Sequence, residues 1–267
     1  MITRFDHAVI AVRQLELAIE RFRRLGFDAH PGGRHSGRGT ENAIIRFGLD
    51  YIELISVYDE AEARESGWGG SALVDYLAEK DGGLVGFCLA TERLDAHVEP
   101  LKAALPGTIG PLEMQRRRPD GEVLHWRLLI PSGGPWLSPY PFLIEWQLSD
   151  SERLQLETPG RHEVGAEGVS RIKVSAAAAE LTSVRQVYSG AFGLSSDSES
   201  GGFPLGGVVI LLAEGGASGP NELVLRVGDL NTARERLVAS GMSIETEGGV
   251  LRVDPDEACG AAIVLTA

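Results

Sequence analysis

The sequence predicts an α+β protein made of four tandem βαβββ modules. Three observations carry that prediction. A short apolar strand followed by an amphipathic helix recurs along the chain, and further apolar strands separated by glycine-rich turns follow each helix. The first and last recurrences also share their spacing: Val9-Ile10-Ala11-Val12-Arg13-Gln14-Leu15 and Val224-Leu225-Arg226-Val227-Gly228-Asp229-Leu230 align on their helix-start leucines. Internal repetition decides architecture before any single motif does.

The first unit has a strand from Phe5 to Val12, then Leu15, Ala18, Ile19, Phe22 and Leu25 at helical spacing, closed by Gly26 where a C-terminal glycine belongs. Strands near Ala43 to Phe47 and Tyr51 to Val57 complete it. Leu73, Tyr76 and Leu77 suggest a connecting helix within residues 58–82. The second unit, residues 83–148, repeats the order: a strand from Val85 to Thr91, a helix carrying Leu94, His97, Val98, Leu101 and Leu105, and strands Val123 to Ile130 and Pro141 to Trp146. Residues 149–167 are rich in Ser, Glu, Arg and Gly, which suits a solvated linker. Residues 168–267 hold the second pair. Its third unit has a strand from Arg171 to Ser175, a helix with Leu181, Val184, Val187 and Tyr188, and a strand from Val208 to Leu212. Its fourth has a strand from Leu223 to Val227, a helix from Leu230 to Leu237, and strands Gly249 to Val253 and Ala262 to Thr266.

Composition narrows the function classes. A net charge of -13 argues against nucleic acid or an anionic membrane surface as the partner, because both attract positive charge. No apolar run reaches the length of a bilayer span, and the start lacks a basic stretch leading into an apolar one. A cytoplasmic protein acting on a small molecule is expected, and a homodimer is compatible with paired units. The two cysteines, Cys88 and Cys259, have no motif spacing and read as buried free thiols.

Two apolar segments each carry one acid: Tyr51-Ile52-Glu53-Leu54-Ile55 and Pro141-Phe142-Leu143-Ile144-Glu145-Trp146. A carboxylate among large apolar residues is costly to bury alone, so a shared site for Glu53 and Glu145 is the expectation, against solvent-facing positions on half-buried strands. Four glycines between His30 and Asn42 allow close backbone approach to a ligand or form a hairpin connection; nothing around them matches a nucleotide-binding loop. His35 could act as acid or base near neutral pH. Arg116-Arg117-Arg118 is a basic cluster in an acidic chain, either a solvated face or the source of one arginine entering the cleft. Trp126, Trp136 and Trp146 could wall an apolar pocket or fill a core.

The pieces Asp6-His7-Ala8-Val9, the stretch from Gly32 to Ala43, Tyr51-Ile52-Glu53-Leu54, Pro119-Asp120-Gly121 with His125-Trp126, and Pro141 to Trp146 occur in an order that resembles the vicinal oxygen chelate superfamily, which includes glyoxalase I, extradiol dioxygenases and fosfomycin-resistance proteins. The nearest resemblance is to its glyoxalase-like domain family, over about residues 1–148.

The resemblance implies curved mixed sheets in which paired units form a half-barrel, with metal ligands from the first and last strands of each unit. Position by position it implies His7, Glu53 and Glu145 as ligands of a divalent ion (Zn, Ni, Mn or Fe), and places Gly86, which has no side chain to offer, at the fourth position. A site with no metal is the alternative. It further implies Glu53, Glu145 and His35 as the proton-moving groups, and Arg34, Thr40, Asn42, Arg118, His125, Trp126 and Trp146 as substrate contacts. The implied activity is that of a metal-assisted lyase or isomerase acting on a small oxygenated substrate. A metal-free binding or resistance protein and an extradiol-type dioxygenase remain as alternatives. In the third and fourth units the corresponding first-strand positions fall near Lys173 and at Glu222, and the last strands carry no central acid. That pair is expected to support the fold or an interface.

Overall fold

In a computed structural model, which describes residues 1–67 and 69–267, the two predicted pairs form two different sheets. The first closes into an eight-stranded barrel. Its strands are β1 (Ile2–Val12), β2 (Ala29–His35), β3 (Thr40–Arg46), β4 (Tyr51–Val57), β5 (Gly82–Thr91), β6 (Ile109–Arg117), β7 (Val123–Ile130) and β8 (Phe142–Trp146), in the spatial order β1-β4-β3-β2-β6-β7-β8-β5. Helices α1 (Leu15–Arg24) and α4 (Asp95–Ala104) follow β1 and β5, while α2 (Glu60–Glu65) and α3 (Gly70–Glu79) occupy the predicted connector.

Parity along the strands explains why the barrel has two apolar faces. Ala8, Ile10 and Val12 of β1, with Ile52 and Leu54 of β4, point outward and pack with Leu15, Ala18, Ile19 and Phe22 of α1. Val9, Ala11, Ile55, Trp126, Leu128, Phe142 and Ile144 point inward and form a separate apolar cluster inside the barrel. Strands covered on both faces read as continuous apolar runs, and full burial of a side chain such as Phe22 stabilises the fold by about 2 kcal/mol.

The second sheet stays open, in the order β10-β11-β9-β12-β15-β14-β13. It comprises β9 (Ala166–Ala176), β10 (Phe203–Leu205), β11 (Val208–Glu214), β12 (Gly219–Val227), β13 (Ile244–Glu247), β14 (Val250–Val253) and β15 (Ile263–Thr266), with α6 (Leu181–Gly190) after β9 and α7 (Leu230–Ala239) after β12. The apolar layer outside the barrel continues through Val169, Ile172, Tyr188 and Leu225, so both sheets share one core. Gly26, at φ 87°, ends α1 at a point where a Cβ would lie 2.9 Å from the backbone nitrogen of Val164.

The predicted solvated linker is instead partly helical. Helix α5 (Asp150–Leu156) starts with a capping box between Ser149 and Glu152 and buries Arg153, which is 1% exposed. Among the described residues no helix is long and apolar enough to cross a membrane.

Candidate active site

The barrel holds a cup of about 80 Å³. A cavity of that size suits a small compound. Strands β1 to β4 supply its polar side: His7, His35, Thr40, Asn42, Tyr51 and Glu53, with Arg38 from the turn between β2 and β3. Strands β6 to β8 supply a mostly apolar side: Met114, Trp126, Leu128, Phe142, Ile144 and Trp146, with Arg116 as its charged member. The α2–α3 connector and Trp136 roof the cup, the indole of Trp136 donating to the carbonyl of Gly69 at 3.0 Å.

Glu53 is the centre of the polar side. His7 Nε2 lies 3.5 Å from its Oε2 and His35 Nε2 3.7 Å from its Oε1, while the amide of Asn42 donates to Oε1 at 2.5 Å. Behind His7 stands Asp6, with Oδ1 2.7 Å from His7 Nδ1. The β1–β5 pairing shifts register between Phe5 and His7, and such a bulge re-aims side chains next to a site. Asp6 is fully buried; burial alone would raise its pKa, but Arg153, the hydrogen bond from His7 and the nearby Arg4 hold it well below the usual carboxylate range. An ionised Asp6 accepts the Nδ1 proton of His7, which leaves Nε2 facing Glu53.

His35 is held neutral. Burial, only partly offset by Glu53 and reinforced by Arg116, lowers its pKa to about 4. Its tautomer follows from a chain of contacts that begins at Arg116, whose Nη1 donates to Asn42 Oδ1 at 3.4 Å. That turns the amide nitrogen of Asn42 toward Glu53 and toward His35 Nε2, 3.4 Å away, so Nε2 is the acceptor and Nδ1 carries the proton toward Thr40 Oγ1 at 3.0 Å.

The structure brings together His7, His35, Thr40, Asn42, Glu53, Trp126 and Trp146, and it places four expected residues elsewhere. Glu145 points out of the barrel, where Arg127 forms an ion pair with it and the backbone N–H of Leu94 donates to it at 3.2 Å. His125 is exposed on that same outer face. Arg34 is exposed, paired with Glu41 at 3.2 Å and lying over the ring of Tyr58. Arg118 pairs with Asp120 at 2.8 Å outside the cup, and the member of the basic cluster that enters is Arg116.

Strand register gives the reason. His7 pairs with Tyr51 and Val9 with Glu53, while Cys88 pairs with Phe142 and Ala90 with Ile144. On β8 the residues that face the cup are thus Phe142 and Ile144, and Glu145 has the opposite sense. Cys88 is buried, which pushes its thiol pKa well up, and Ile144 has no donor atom. The ligand set His7, Glu53 and Glu145 does not converge, so the residues do not fit the implied metal centre. Among the described residues no group of three or more His, Cys, Asp or Glu is arranged to hold a metal ion.

The glycine-rich stretch is a hairpin of β2 and β3, not an anion nest. Gly32 leaves space that a Cβ would take from Asn42 Oδ1 (2.2 Å) and Arg116 Nη1 (3.0 Å), and Gly39 lets the carbonyl of Asp59 approach. Gly86 likewise lets the chain at Pro135 and Trp136 cross close above it. Asp6, Arg38, Tyr51 and Arg153 were missed by sequence reasoning. Asp6 beside His7 was the one visible signal, since a carboxylate next to an imidazole is a common way to orient it.

A closed cup of this topology, with its polar groups on the first strands, defines a protein of the vicinal oxygen chelate fold. The sequence profile described as "Glyoxalase-like domain" matches residues 5–188, and the chain belongs to that family. Among curated proteins none matches the sequence. A hypothetical protein from Staphylococcus aureus superposes with a TM-score of 0.75 at 19% identity, covering 99% of both chains. A mutant of 4-hydroxymandelate synthase from Streptomyces coelicolor gives 0.62 at 13% identity, over 99% of this chain and 92% of that one. The Mn(II)-bound glyoxalase from Novosphingobium aromaticivorans gives 0.59 at 11% identity, over 99% and 81%. At such identities these likenesses concern the fold.

Proposed function

We propose that the chain is a lyase or isomerase of glyoxalase type that moves a proton on a small oxygenated substrate, with Glu53 as the base. The observation that carries this reading is the Asp6–His7–Glu53 arrangement, 2.7 Å and 3.5 Å long, opening on a small cup that already holds neutral His35. A buried carboxylate can take a proton from a carbon next to a carbonyl, and the oxyanion that develops is stabilised by nearby positive charge. Arg38 and Arg116 supply that charge at the cup wall. Asn42, fixed by Arg116, orients the carboxylate, while Trp126 and Trp146, with ring centroids 5.2 Å apart, exclude water from one side. The fold hosts several chemistries, so the reaction class rests on these side chains and not on the family. A cytoplasmic setting accords with two buried free thiols.

The test is solvent-deuterium exchange into small α-hydroxycarbonyl compounds, followed by NMR for the full-length protein and for Glu53→Gln. Exchange that is saturable and lost in the variant is the expected result; exchange unaffected by the variant removes Glu53 as the base. A second reading retains a divalent ion, held by His7, Glu53 and His35 in place of the implied set. It is favoured by two imidazole Nε2 atoms within 3.7 Å of one carboxylate, and it requires Asn42 to release Glu53. Stoichiometric metal in purified protein that disappears in Glu53→Gln would decide for it.

A further inference from the structure

On the far side of Arg116 from the cup lies a second cleft of about 230 Å³, lined by Arg46 of β3, Arg116 and Arg118, and by Glu157, Thr158 and Gly160 after α5. Four guanidinium groups surround the carboxylate of Glu157: Arg46 at 2.8 Å, Arg116 at 2.9 Å, and Arg118 and Arg153 at 3.6 Å. Two of these have other acids. Arg153 reaches Asp6 at 3.3 Å, and Arg118 reaches Asp120 at 2.8 Å. Among the described residues Arg46 and Arg116, whose side chains are 7% and 5% exposed, have Glu157 as their shared carboxylate. Asp28, also on the cleft wall, lies 2.5 Å from His30 and, among the described residues, forms no ion pair with these arginines.

Arginine stays charged in proteins, and a buried charge without a counter-charge is costly. One positive charge in this cluster is thus left without an acid of its own. Arg116 Nε is in addition a buried donor with no acceptor. Burial lowers the pKa of Arg46 despite the pull of Glu157. A planar fork of N–H donors beside a solvent-open cleft matches the oxygens of a carboxylate or a phosphate group.

We infer that this cleft is a second binding site, for a small oxyanion seated on Arg46, Arg116 and Arg118. Its occupant offsets the surplus charge around Glu157. The site is distinct from the cup, because Arg46, Arg118 and Glu157 do not line the cup and Arg38 and Glu53 do not line the cleft. It stands whether or not Glu53 is a catalytic base.

Calorimetric titration of the full-length protein with inorganic phosphate, and separately with succinate, at constant ionic strength tests the inference and tells the two anion sources apart. Saturable binding of at least one anion, one per chain, is expected. Arg118→Gln, at a side chain that is 19% exposed and so tolerant of change, should weaken it by about tenfold or more. Arg38→Gln, which alters only the cup, should leave it unchanged. Thermal melting in chloride buffer checks that both variants fold. No saturable binding of either anion overturns the inference, and so does binding kept in Arg118→Gln or lost in Arg38→Gln, which places the anion in the cup.

Discussion

Replacing His35 by glutamine should flatten the acid limb of the stability curve. In the folded protein burial lowers the His35 pKa from 6.5 to about 4, whereas the unfolded chain titrates at the ordinary value. Between those two values the unfolded state binds the extra proton, so stability rises with pH through that window. The neutral ring costs nothing above pH 6.5; the penalty grows as pH falls toward 4 and is constant below it. At about 1.36 kcal/mol for each pH unit, the full penalty is about 3 kcal/mol, and about 2 kcal/mol has accrued by about pH 5. Glutamine has the same ability to accept from Asn42 and donate to Thr40, and it does not titrate. Urea unfolding of wild type and His35→Gln at pH 7 and pH 5 measures the difference directly. Wild type should lose about 2 kcal/mol more than the variant between the two conditions. Parallel losses would refute the neutral-His35 assignment, and with it the tautomer that places a lone pair toward Glu53.

Four further outcomes follow from the same geometry. Glu145→Gln should keep deuterium exchange intact and cost less than about 1 kcal/mol in a thermal melt, because its ion pair is partly solvated; a loss of exchange like that of Glu53→Gln would return Glu145 to the site. Arg153→Met should destabilise by about 3 kcal/mol in chemical denaturation, since it strips Asp6 and Glu157 of a buried partner; a change no larger than that of a surface pair would show Arg153 to be idle. Gly86→Ala should cost about 1–3 kcal/mol and weaken ligand binding, because the added Cβ meets the carbonyl of Pro135 at 2.7 Å; a neutral result would remove the close-approach explanation of this glycine. Treatment with a chelator should leave exchange activity unchanged, and restoration by one added divalent ion after a loss would favour the metal-bearing reading.

The repeat pattern made the strands and helices of residues 1–148 legible, because the apolar spacing that marks each element is set by its own burial. The inward or outward sense of a side chain was harder to read. In Phe142-Leu143-Ile144-Glu145-Trp146 both faces are apolar, Leu143 beneath the outer layer and Ile144 inside the cup, so alternation gives no parity and a slip of one residue exchanges the faces. Glu145 was misplaced by that slip, and Arg34 and His125 stand one residue from His35 and Trp126, which do face inward. Gly86, which alignment on the helix starts matches to His7, lies on β5 where the chain at Pro135 and Trp136 crosses close above it. Arg153 was illegible for another reason: a polar segment reads as solvated, and its acids, Asp6 and Glu157, lie on β1 and just beyond α5.

Correcting the register changes what the site is for. The expected set took His7 and Glu53 from the first unit and Glu145 from the second, with Gly86 contributing nothing. The observed arrangement pairs His7 with Cys88 across β1 and β5 and turns Phe142 and Ile144 of β8 inward, so the second unit brings no acid to the cup from these strands. Nearly all the groups able to move a proton or hold an oxygen come from β1 to β4, while β7 and β8 present Trp126, Leu128, Phe142, Ile144 and Trp146. Arg116 is the exception, and it acts on the polar side through Asn42. On the proposed function, a substrate suited to such a cup has one oxygenated end for Glu53 and one apolar end for the tryptophans. The apolar wall supports the polar side across the cup, because indoles and aliphatic carbons facing Glu53's side exclude water that would otherwise compete for it.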